Sequence, residues 1–210
     1  MAKPDILRFR FAGALAVTCF ASALTASTAG AGLLPGLLGV NCSSGALVQP
    51  FRHWGDAGSY QLAPNGGFEG GTSGWTLTGG AKAVAGNEPF AVNSAADSHA
   101  LALPDGSSAT TGPVCLGGLS KASIRFFAAN TGSPSSRLHV EVLYRGLLGN
   151  LLGALDGGTV SASAWNATPQ LLALQLPILG NAAVQLRFTP IGSGGNWRMD
   201  DVYTDPWRDH

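Results

Sequence analysis

Charge is what this sequence has least of: Asp, Glu, Lys and Arg make up 11% of its 210 residues, against ~25% in an average soluble domain. Its 12 basic and 12 acidic side chains cancel. No excess of positive charge is available to attract nucleic acid or an anionic membrane, so neither is expected as a partner. Cysteine is equally scarce, at positions 19, 42 and 115. Neither Cys42 nor Cys115 has a C-x-x-C partner or a nearby histidine, which argues against a zinc site. The sequence has no G-x-S-x-G, H-E-x-x-H or G-x-x-x-x-G-K-[ST] motif. Asp97-Ser98-His99 contains the residue types of a triad, but neighbours in an extended segment diverge. A triad assembled from distant residues leaves no such trace. Helical periodicity is missing too, since no segment keeps a 3.6-residue apolar repeat over three turns.

The first thing present is a leader. Lys3, Arg8 and Arg10 precede an apolar run from Phe11 to about Leu24, and Ala29-Gly30-Ala31 offers a small-x-small cleavage site. That pattern reads as a signal peptide over 1–31, because the run falls short of the ~20 residues that span a bilayer. Removing it leaves nine basic and eleven acidic side chains, and an export route to an oxidising compartment. There Cys42 and Cys115 most simply form one disulfide, the alternative being two buried thiols. After an irregular leader over 32–59, held on the domain by burial of Phe51 and Trp54, the domain proper is expected at 60–205, with a short tail at 206–210.

Glycine is abundant, 30 residues in all, and it separates short β-branched and aromatic runs. These runs predict strands near 68–69, 75–77, 81–85, 100–103, 114–115, 123–129, 138–145, 159–163, 171–176, 183–189 and 197–204, joined by turns such as Pro104-Asp105-Gly106-Ser107. The fold class that follows is all-β, a two-sheet antiparallel jelly-roll sandwich with little helix. The leucines of 145–158 resist assignment. They either cover a sheet edge or form an exposed patch that would serve as an interface.

Two motifs frame this domain. Asn65-Gly66-Gly67-Phe68-Glu69, followed by Gly74-Trp75, opens it, and Trp197-Arg198-Met199-Asp200-Asp201-Val202 closes it. The pair resembles galactose-binding-like jelly rolls, in particular the carbohydrate-binding modules that accompany bacterial glucanases and xylanases. The resemblance spans roughly 60–205 and implies that the opening and closing segments are neighbours in space. It also implies a structural calcium held by Glu69, Asp200 and backbone carbonyls, a donor set that suits calcium's six to eight oxygens. The alternative is that both carboxylates cap turns or pair with an arginine such as Arg198.

Alternation along three strands exposes a candidate ligand face. Leu138, Val140, Val142 and Tyr144 point to one side, His139, Glu141 and Arg145 to the other. By the same rule Arg125 and Phe127 oppose Ile124 and Phe126, while Gln185 and Arg187 oppose Val184 and Leu186. If the three strands share a sheet, its outer face gathers Arg125, Phe127, His139, Glu141, Arg145, Gln185 and Arg187. That set offers planar hydrogen-bonding groups beside an aromatic platform, which is what a pyranose needs. A salt-bridged, solvated sheet face would contain the same residues. Trp165 is a further candidate platform, and burial would suit it equally. Asp200 and Asp201, adjacent in a strand, are expected on opposite surfaces and so cannot act as a paired acid and base. Together these readings describe a secreted, extracellular, monomeric, non-catalytic domain that binds a carbohydrate. The competing description is a structural or adhesive surface protein that recognises another protein.

Overall fold

The computed structural model describes residues 45–116, 122–145, 150–173 and 182–205, all of them in the unit Leu34–His210. The signal peptide, the tail and Cys42 lie outside the described residues, and with Cys42 the disulfide expectation. Among the described residues fourteen strands run in chain order: β1 Leu47–Val48, β2 Tyr60–Leu62, β3 Thr76–Thr78, β4 Lys82–Ala85, β5 His99–Pro104, β6 Ser108–Thr110, β7 Val114–Leu116, β8 Ala122–Asn130, β9 Arg137–Arg145, β10 Leu151–Val160, β11 Asn166–Ala167, β12 Leu171–Ala173, β13 Ala182–Ile191 and β14 Asn196–Asp205. The helix among the described residues is one 3-10 turn, Arg52–Trp54.

The strands form two antiparallel sheets, as the turn-punctuated apolar runs require. In the eight-stranded sheet β14 is central. One edge of β14 pairs with β8, and its other edge pairs first with β5 and then with β2. β4 lies outside β5, β1 outside β2, and β11 and β12 beyond β8. In the six-stranded sheet β13 pairs with β9 on one side and with β6 and β7 on the other, with β10 and β3 outermost. The core between the sheets is built from alternate residues: Leu101 and Leu103 of β5, Ile124 and Phe126 of β8, Val140 and Val142 of β9, Leu186 and Phe188 of β13, Trp197 and Met199 of β14. Burying each such side chain contributes about 1.5–3 kcal/mol.

The framing motifs meet as expected: the Ala63 amide donates to Val202 O at 2.8 Å and the Val202 amide to Gly66 O at 3.1 Å. The local form differs, because 64–74 is a run of turns and not a strand at Phe68-Glu69. Asn65 and Phe68 both have positive φ (53° and 58°). Asparagine tolerates that conformation better than most residues, and here its side-chain amide donates to Gly71 O and Ser73 O, tying the loop together. Phe68 is thereby turned into the core, 4.9 Å from the Trp75 ring.

A second apolar cluster sits on the outer face of the eight-stranded sheet. Residues 50–58 cross that face as a strap. Phe51 of the strap packs on Tyr60, Phe127 and Tyr203, with ring centroids 5.0, 5.5 and 5.6 Å away. Phe51 is completely buried there, while 32–44 of the expected leader lie outside the described residues. The packing of Phe51 explains how an outward-pointing Phe127 is fully buried: the strap covers it.

Candidate functional site

The residues expected on one ligand face separate onto two. β8 belongs to the eight-stranded sheet, whereas β9 and β13 belong to the other, so the condition for a single face fails. His139, Glu141, Arg145, Gln185 and Arg187 do come together on the six-stranded sheet, where Arg187 stands opposite Glu141 in register. There they bind one another. Arg187 Nε and Nη2 donate to Glu141 Oε2 and Oε1 at 2.6 and 2.8 Å, and the Arg187 guanidinium holds the Glu141 carboxyl below its ordinary value. His139 Nε2 lies 3.1 Å from Asp156 Oδ1, and Arg145 Nε donates to Gln185 Oε1. No aromatic ring joins them in the described contacts.

Arg125, Phe127 and Trp165 belong to the other face. Phe127 is completely buried, which corrects its assignment as a contact residue. It supports the strap instead, with Trp54 packed edge-on at 5.2 Å. Trp165 is half-buried and lines an open groove of ≈ 570 Å³ together with Trp54, Arg125 and the 160–169 segment. That volume falls within the ~300–1,000 Å³ of small-ligand sites. The groove forms because β10 ends at Val160 and the chain returns along β8 through β11. Thr168 fixes the return: its amide donates to Phe126 O at 2.8 Å, and its hydroxyl accepts from the Phe126 amide at 3.2 Å. Trp54 Nε1 donates to Asn166 Oδ1 at 2.9 Å, joining the strap to that segment. The sequence marks Trp54 as an anchor, and nothing in its own neighbourhood signals that it lines a groove with Trp165.

Under the groove lies a polar clasp. Asp56 Oδ2 accepts from Arg125 Nη1 (2.7 Å), the Tyr60 hydroxyl (2.7 Å) and Gln170 Nε2 (2.9 Å), and Asp56 Oδ1 accepts from the Gly58 amide (2.9 Å). Burial alone would raise the Asp56 carboxyl, but hydrogen bonds from Tyr60, Gly58, Arg125 and Gln170 outweigh it and hold it below its ordinary value. Burial and Asp56 together push the Tyr60 hydroxyl up to about 12. Arg125 Nε donates to Thr168 O at 2.8 Å, and its guanidinium carbon sits 4.4 Å from the Phe51 ring centre.

The residues implied for calcium lie at the opening–closing junction. A bulge in β14 between Asp200 and Tyr203, with Asp201 at φ 48°, breaks the strand alternation. Both aspartates consequently meet the 87–97 loop, contrary to their expected divergence: Asp200 Oδ2 accepts from the Glu88 amide at 3.3 Å, and Asp201 Oδ2 from the Asn93 amide at 3.2 Å. Burial, then the charge of Asp201, pushes the Asp200 carboxyl up to about 8. Burial, then Glu88 and Asp97, pushes Asp201 up to about 7. Asp201 Oδ1 is buried with no hydrogen-bond partner, and a Cβ on Gly67 would stand 3.0 Å from it. Glu69, which also raises the Asp201 carboxyl, accepts from the Ser98 and His99 amides at 2.8 and 2.7 Å. Among the described residues no three Asp, Glu, His or Cys side chains converge tightly enough to hold a metal on their own. A calcium here would draw on backbone carbonyls, as calcium commonly does. A cation beside the unpartnered Asp201 oxygen would lower both raised carboxyls.

No protein-family model matches the sequence, and no curated protein matches it. Among solved structures the chain is similar to the enzymatically active domain of tailspike protein 4 of bacteriophage CBA120, at 16% identity and a TM-score of 0.48, covering 68% of this chain and 21% of that one. It is similar to TmCBM61, solved with β-1,4-galactotriose, at 19% identity and a TM-score of 0.46, covering 70% of this chain and 98% of that one. It is also similar to the CBM22-1–GH10 modules of Clostridium thermocellum endo-1,4-β-D-xylanase 10B, solved with xylohexaose, at 15% identity and a TM-score of 0.47, covering 68% and 28%.

Proposed function

We propose that this protein is an exported, non-catalytic domain that binds a polysaccharide or cell-wall glycan in the Trp54–Trp165 groove. The observation that carries the reading is the groove itself: two indoles in one open cleft, one of them tied to the amide of Asn166. A pyranose has polar edges and a C–H face, so it needs a flat aromatic surface flanked by fixed hydrogen-bonding groups. The six-stranded face offers the second without the first, and its polar groups are already paired. Export rests on the signal-peptide pattern; no helix among the described residues is long and apolar enough to cross a membrane. The non-catalytic reading rests on the sequence, which has no nucleophile or zinc motif. Structural calcium at the junction, held by the Asp200 and Asp201 carboxyls together with backbone carbonyls, is part of the same proposal and would neutralise the buried carboxylates.

Affinity electrophoresis through a panel of soluble polysaccharides tests it. At least one should retard the mature protein, with Trp165→Ala running freely; no retardation by any of them would sink the reading. A second reading, a surface protein that binds another protein, is favoured by Leu151 and Leu152, which are 50% and 62% exposed on edge strand β10. On that reading Trp165→Ala changes nothing and Leu152→Asp abolishes capture of the partner.

A further inference from the structure

The groove contains one ionised side chain, Arg125; every other residue lining it is uncharged. A lone guanidinium in a glycan cleft would recruit acidic sugars, because arginine matches a carboxylate or sulfate with paired N–H donors. Here the charge is already compensated, and two of the donor nitrogens are engaged. Arg125 Nη1 is 2.7 Å from Asp56 Oδ2, and the two side chains are only 8% and 14% exposed. Arg125 Nε is spent on Thr168 O, and the guanidinium lies over Phe51.

We propose that Asp56 is the specificity-determining residue of the groove: by neutralising Arg125 from the strap, it fits the cleft to uncharged glycans and closes it to uronate- and sulfate-bearing ones. The proposal rests on the reading of the groove as a glycan site. An anionic sugar entering it would lose water around its charge, meet a cation already compensated, and sit near the Asp56 carboxylate. Holding the strap does not by itself require this pair. Phe51, Tyr60, Phe127 and Tyr203 already bury it with apolar surface, and an ion pair taken out of water is seldom a net source of stability. Asp56 also collects Tyr60 and Gln170 on the oxygen that binds Arg125, so its position does not depend on the arginine alone.

The test is retention of the mature protein by galactan, xylan and mixed-linkage glucan, and by polygalacturonate, at about 20 mM and about 500 mM NaCl. Wild type should be held by a neutral polymer with less than about a twofold change across that salt range, and polygalacturonate should not hold it. Asp56→Asn, checked for a native near-ultraviolet spectrum, should gain about tenfold in affinity for polygalacturonate, lost again in high salt. Adding Arg125→Gln should remove the gain. Salt-sensitive wild-type binding to polygalacturonate that Trp165→Ala abolishes would overturn the role of Asp56 and leave the glycan site standing. A folded Asp56→Asn with no gain overturns it too. Failure of every polymer to bind wild type overturns the glycan site and this inference together. Should Asp56→Asn not fold, the wild-type salt series alone decides.

Discussion

Trp54 and Asn166, 112 residues apart, meet through one hydrogen bond of 2.9 Å between the indole N–H and the side-chain oxygen. That bond ties a strap that is irregular in sequence to the segment that returns the chain along β8, and it holds one indole at the groove wall. Replacing Trp54 with alanine removes a stacking surface and unties the strap at that point. Glycan affinity should fall by tenfold or more, equivalent to at least about 1.4 kcal/mol. The Phe68–Trp75–Phe188 part of the inner core, on which Trp54 does not pack, should keep its near-ultraviolet signature. Calorimetric titration checks the first outcome and circular dichroism the second.

Calcium should stabilise the protein through the junction between the opening and closing motifs. At a hundred times its dissociation constant a ligand contributes ~2.7 kcal/mol, which for a domain of this size raises the melting temperature by roughly 5–10 °C. Asp201→Asn should melt at the same temperature in chelator and in calcium. An equal melting temperature for wild type in both solutions would remove calcium from the account.

Asp56 should make the stability of the fold fall with acid. The folded Asp56 carboxyl is held below its ordinary value of 3.8, so the unfolded chain takes up its proton first as pH falls. Its stabilisation is present above that ordinary value and is lost as pH drops through the lower folded value. Thermal melts between about pH 5 and about pH 2 should therefore fall more steeply for wild type than for Asp56→Asn. Parallel curves would show that Asp56 carries no such linkage.

Gly132→Ala tests the turn that follows β8. An added Cβ would stand 2.3 Å from Gly194 O and 2.5 Å from the Asn196 nitrogen. Both are backbone atoms and cannot swing aside, so overpacking should cost about 2 kcal/mol, or some 4–8 °C in melting temperature. A variant that melts with wild type would contradict the packing of this corner.

Much of the sandwich was legible because its long strands bury one face. Alternation in 138–145 and 183–189 marks β9 and β13 and correctly turns His139, Glu141, Gln185 and Arg187 outward. Short strands such as β1, β2, β6 and β11 carry two or three residues, too few for a period to show. Alternation states that Arg125 and Phe127 share a side; it does not state which sheet they join or what lies over that side. Those facts depend on β8 pairing with β14 and on a strap whose Phe51 lies 76 residues upstream of Phe127. The meeting of Asp200 and Asp201 with one loop was hidden for a related reason. A bulge moves residues to the other face of a strand without any change in apolar pattern, and a non-glycine residue at positive φ, as at Asp201, gives no sequence warning.

The most direct test of the central claim is to follow the tryptophan indole N–H resonances of the mature, isotope-labelled protein while a bound oligosaccharide is titrated in. The account predicts shifts for Trp54 and Trp165, with the core indoles of Trp75 and Trp197 unmoved. Shifts confined to His139, Arg187 and their neighbours on the six-stranded sheet, with Trp54 and Trp165 still, would contradict it.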